Sequence, residues 1–126
     1  MKIGYVIATP EVSTSTMPAL QGGRFGDTLA MLRDLGYDGV ELAVRDPDAQ
    51  DRRSLHDTLK GSGLEVFLIG TAPIAHQDGV YLCHADPDVR NTALERFRQL
   101  VDFAASLNCP VNVGSFRGRL FLIELT

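Results

Sequence analysis

Gly36-Tyr37-Asp38-Gly39-Val40-Glu41-Leu42-Ala43-Val44, residues 36–44, carries the chain from the end of a helix through a turn into a strand. Just upstream, Phe25, Leu29, Leu32 and Leu35 recur at spacings of four, three and three, which lines them up as one helical stripe. Gly36 follows at once and can take the left-handed conformation that closes a helix. Apart from Glu41, residues 39–44 are apolar without alternation, the pattern of a strand covered on both faces. Asp46-Pro47 then signals a helix start, because an Asp side chain can accept from free first-turn amides and Pro has no amide to lose there.

The same sequence of signals recurs on either side. Ile3 to Ala8 is a short apolar run ended by Thr9-Pro10, and residues 11–23 are a Ser/Thr/Gly/Pro-rich loop. After Asp46-Pro47 a weakly patterned helix, with Leu55 and Leu59 as its core contacts, stops at Gly61-Ser62-Gly63. A third strand spans 64–70, and residues 71–84 read as a loop. Asp86-Pro87 opens the best-patterned helix, whose apolar face comprises Ala93, Leu94, Phe97, Leu100, Val101, Ala104 and Leu107. Asn108 and Pro110 end it, and residues 110–114 form a fourth strand. The fold class is therefore α/β, with roughly four parallel strands and three crossover helices. Strand starts lie about 25 to 46 residues apart, which suits either an open doubly wound sheet or a (β/α)8 barrel. Helices on both faces of the sheet would mark a flavodoxin-like domain that binds a small ligand. Helices on the convex side alone would mark a barrel.

Several function classes are disfavoured. The net charge is −4 and no Lys/Arg cluster forms a nucleic-acid footprint; Arg96 and Arg98 sit in a mixed-charge helix. No GxGxxG or GxxxxGK[ST] follows the first strand, so a dinucleotide or P-loop site is not expected. Cys83 and Cys109 make no disulfide framework or zinc spacing and read as small buried hydrophobes. The N-terminal apolar run is short for a signal peptide, and nothing approaches a membrane span of about 20 residues. A cytoplasmic protein with reduced thiols is expected.

Four linked pieces resemble the xylose-isomerase-like sugar phosphate isomerases and epimerases. They are Gly36 to Leu42 ("GYDGVEL"), Asp78-Gly79-Val80-Tyr81-Leu82 with Asp86-Pro87-Asp88 and Arg90, Phe97 to Val111, and Gly114-Ser115-Phe116-Arg117-Gly118. Their order and spacing cover residues 1 to about 119. The resemblance implies a truncated (β/α)8 TIM barrel, the N-terminal half of a domain, with residues 120–126 as an apolar tail. In that family a divalent metal such as Mg or Mn, held by two Glu, an Asp and a His from the last four strands, assists proton transfer next to a carbonyl. Those strands are not recognised here, so no cofactor, metal ligand or catalytic residue is assigned, and the chain alone is expected to be inactive. The implied ligand is a small-molecule sugar or sugar phosphate. The expected partners are a second copy or a complementary half-barrel, with the half-barrel acting as a structural or binding module as the alternative function.

Four residues are candidates for substrate binding. Glu41 lies near the C-terminal end of its strand, where barrel sites form; it either contacts a substrate hydroxyl or pairs with Arg45 or Arg117. Arg117, flanked by Gly114 and Gly118, can grip a phosphate or carboxylate bidentately, or pair with an acidic neighbour. His76 and His84 bracket the loop after the third strand, and His76 is the one taken as a candidate. Thr9, with Tyr5, lines the exit of the first strand. Arg45 reads as structural, His56 as a surface residue and Asn112 as a satisfied core amide.

Overall fold

The computed structural model describes residues 1–16, 19–21, 24–49 and 51–119; the expected apolar tail at 120–126 lies outside them. Four parallel strands, β1 (Gly4–Ala8), β2 (Gly39–Ala43), β3 (Glu65–Gly70) and β4 (Val111–Asn112), form one sheet in the order β1-β2-β3-β4. The helices are α1 (Phe25–Asp34), α2 (Arg52–Gly61), α3 (Ala72–Asp78) and α4 (Pro87–Ser106). A doubly wound sheet reverses its strand order at a switch point. Here every strand pairs with its sequence neighbour, as barrel strands do.

Helix placement agrees. Leu29 and Leu32 of α1, Leu55 and Leu59 of α2, and Ala93, Leu100 and Phe103 of α4 share one cluster with Ile7, Val40, Leu42 and Ile69 of the sheet. One side of the sheet therefore carries all three crossover helices, and the flavodoxin-like alternative falls. The described residues form four consecutive strands of a (β/α)8 barrel.

The opposite, concave face begins with a packing device. Register shifts between Val40 and Glu41, so β3 carries one extra residue there and both Phe67 and Leu68 turn to the concave side. The Phe67 ring lies across Gly4 and Gly39. A Cβ added at Gly4 would stand 2.6 Å from Phe67 Cδ2, and one at Gly39 would stand 2.7 Å from Phe67 Cζ. Only glycine leaves room for the ring.

Several expectations need correction. The second helix starts at Arg52 with Asp51 as its cap, accepting from the Arg53 amide at 3.0 Å. Asp46 instead closes a single turn, accepting from the Asp48 amide at 2.9 Å. Both aspartates offer the same cap chemistry, and the helix begins where its apolar contacts, Leu55 and Leu59, come within reach. The supposed loop 71–84 contains α3, ended by Gly79 at φ 64°; at two turns it is too short to show periodicity. On α4, Leu94 and Val101 are exposed and Phe103 is buried in their place. Cys83 is exposed, whereas Cys109 is half-buried against the core, and burial pushes its thiol pKa up. His56 is half-buried, with both ring nitrogens engaged, Nε2 to the Ser106 carbonyl at 3.1 Å and Nδ1 to Asp57 at 3.2 Å. No helix among the described residues is long and apolar enough to cross a membrane.

Candidate functional site

Three side-chain clamps hold the C-terminal ends of the strands in register. Thr9 is fully buried; its hydroxyl donates to Glu11 Oε1 at 2.6 Å and lies 3.3 Å from the Ala43 carbonyl, which ties the end of β1 to the end of β2. The same Glu11 oxygen accepts from the Arg45 and Asp46 amides, each at 3.2 Å. Thr71 repeats the device one layer on, donating to the Asn112 carbonyl at 2.7 Å and so joining β3 to β4. The third clamp is Asp78. It takes Arg45 Nε at 2.8 and 2.9 Å and an Arg96 nitrogen at 2.9 Å, and Arg96 also donates to the Arg45 carbonyl. A carboxylate with two guanidiniums, partly shielded from water, makes stronger bonds than neutral groups would.

Within this frame two adjoining cavities open at the strand ends. One, of about 230 Å³, includes Glu41, Ala43, Gly70, Asn112 and Ser115 in its lining. Glu41 pairs with Val6 and Leu68 across the sheet, and Leu42 next to it faces the helices, so the carboxylate belongs to the concave side. Among the described residues no ion pair takes it up, because Arg45 is held by Asp78. The second cavity, of about 260 Å³, is lined by Ala75, His76, Tyr81, Ser115, Gly118 and Arg119. His76 Nε2 lies 3.1 Å from Ser115 Oγ.

The four sequence candidates thus take different places. Glu41 and His76 line the two cavities. Thr9 is buried with its hydroxyl engaged below the rim. Arg117 is exposed and lines neither cavity; its carbonyl accepts from the Cys83 amide at 3.1 Å. Asn112 is corrected from a core amide to an exposed cavity residue, since a two-residue strand at the sheet edge leaves its side chain uncovered. Glu11 and Arg119 carried no sequence signal, and Asp78 and Ser115 stood out only as parts of the family motifs, not as site residues. Their partners are distant in the chain or lie in short 3-10 and loop segments without periodicity. Only the two Thr-before-Pro stretches, Thr9-Pro10 and Thr71-Ala72-Pro73, repeat visibly enough to have suggested paired clamps.

Sequential parallel strands, one-sided helices and a cavity at the strand ends define half of a TIM-barrel scaffold. The family model for the xylose isomerase-like TIM barrel matches residues 29–120, and the chain belongs to that family. Comparison with curated proteins gave no significant match. Among the described residues no three His, Cys, Asp or Glu side chains converge as a metal site requires, so they do not fit the divalent ion implied by the resemblance.

Proposed function

We propose that this chain forms the substrate-binding wall of a sugar or sugar phosphate isomerase or epimerase, and that it turns over no substrate alone. The observation that carries this reading is the Glu41 carboxylate, unpaired among the described residues, on the wall of a cavity at the strand ends. A carboxylate accepts from sugar hydroxyls, and the Asn112 amide, which lines the same cavity, both donates and accepts. Alternating donors and acceptors of this kind suit a polyol better than an apolar ligand.

Two measurements test the reading. The purified chain, incubated with aldoses and their phosphates in magnesium, manganese or cobalt, is expected to give no product above background. Turnover that a chelator abolishes would overturn the claim of inactivity. Glu41→Gln should weaken saturation by sugars about tenfold, as loss of a charge-assisted hydrogen bond does, with little change in thermal midpoint. Unchanged sugar binding by that variant would remove Glu41 from the site.

A further inference from the structure

We infer that the cavity between α3 and the 3-10 turn Gly114–Arg117 is an anion subsite, which takes the phosphate or carboxylate terminus of a ligand whose hydroxylated part lies beside Glu41. The two cavities divide by charge. Among the described residues, the Glu41 cavity is lined by a carboxylate and no Lys, Arg or His, whereas its neighbour is lined by Arg119 and His76 and no Asp or Glu. In a protein of net charge −4, a pocket whose described lining holds a cation and an imidazole and no acid favours negative charge. Ser115 lines both cavities, so one extended molecule can cross it. Each cavity falls just short of the roughly 300 Å³ at which small-ligand sites begin, and the two together fall within that range.

The chain is shaped to hold Arg119 there. Leu82 and Cys83 donate to the carbonyls of Phe116 and Arg117 at 2.9 and 3.1 Å, which stitches the segment before Arg119 onto the stretch after α3. Gly118 sits at φ 103°, where side chains are strained, and a Cβ on it would press on the Tyr81 ring and on Cys83 Sγ. The backbone thus passes flat against Tyr81 and leads into Arg119, which lines the cavity. Facing it, His76 and Ser115 are already 3.1 Å apart. An arginine and a hydroxyl from residues 114–119 and an imidazole from α3 line the same cavity, and a phosphate or carboxylate accepts from all three groups.

This inference rests on the substrate reading above, and the test separates the two. The 15N-labelled chain is titrated with inorganic phosphate, acetate, D-glucose, D-gluconate and D-glucose 6-phosphate. Phosphate or acetate is expected to shift Ser115, Gly118 and Arg119, glucose to shift residues beside Glu41, and the anionic sugars to shift both sets. Stronger response to the phosphate or to the carboxylate arm identifies the terminus. Arg119→Gln, with His76→Ala as a second variant because His76 lines the anion cavity and not the Glu41 cavity, should weaken anionic binding by roughly tenfold and leave the glucose response unchanged. Anion shifts elsewhere, or anion binding indifferent to both variants, would overturn the subsite. Anion shifts at Arg119 without any glucose response beside Glu41 would support the subsite and sink the sugar reading alone.

Discussion

Asp78 accepts from Arg45 and Arg96 with its side chain only 16% exposed, so three segments of the rim converge on one carboxylate. Asp34, by contrast, pairs with Arg33 while 72% exposed. Water and salt weaken the second pair far more than the first. Asp78→Ala is therefore expected to lower stability by about 2 kcal/mol, and Asp34→Ala to change it by no more than about 0.5 kcal/mol. Thermal melts of the two variants check this, and equal shifts would remove Asp78 from its clamping role. At this scale the sequence was partly legible. A structural Arg45 could be expected from its place beside a helix-start signal, but its partner lies 33 residues on, in a helix too short to announce itself. Glu41 was recognisable because a lone carboxylate in an apolar strand must pair or reach solvent; which of these it does depended on where Arg45 went.

Among the elements, glycines that look alike in the sequence carry opposite loads. Gly39 supports the Phe67 ring, and an added Cβ would also press on the Glu65 carbonyl. Gly61 ends α2, with nothing within 4 Å of an added Cβ. Gly39→Ala should destabilise by about 1–3 kcal/mol through overpacking. Gly61→Ala should stabilise by up to about 1 kcal/mol, since alanine loses less backbone entropy in a helix. Denaturant midpoints that move in opposite directions are the expected result; a destabilised Gly61→Ala or an indifferent Gly39→Ala would contradict it. Strand positions, α1 and the Asp86 cap of α4 follow from local chemistry, and Asp86 does accept from the Asp88 amide at 2.9 Å. The β3 irregularity has no local signal, because it arises where Phe67 meets glycines on two other strands.

For the whole molecule, four strands leave a concave face on which Val6, Phe67 and Leu68 are only half-buried. A closed barrel would cover these with its opposite strands. The outer edge of β1 is less open than strand counting suggests. Leu20 forms a parallel bridge to Ile7, donating to the Val6 carbonyl at 2.9 Å and accepting from the Ala8 amide at 3.0 Å. Association through that edge is thus partly blocked, and the concave face and the short β4 edge remain the driving surfaces. The 126-residue chain is expected to self-associate at micromolar concentration, with two halves facing each other about a twofold axis as the symmetric solution. Sedimentation velocity over a concentration series decides this. A monodisperse monomer throughout would show that the concave face tolerates water and would favour an independent half-barrel.

By itself the sequence determined the parallel α/β order, the strand cores, the helix closures at Gly36 and at Gly61-Ser62-Gly63, and the family, because each rests on neighbouring residues whose spacing sets which face they share. Tertiary structure alone decided that the helices keep to one side, that Arg45 belongs to Asp78 and leaves Glu41 in its cavity, and that Arg119 and not Arg117 lines a pocket. These depend on which distant groups the sheet curvature brings within a few ångströms, and no local pattern encodes a distance between residues that meet only after the chain has folded.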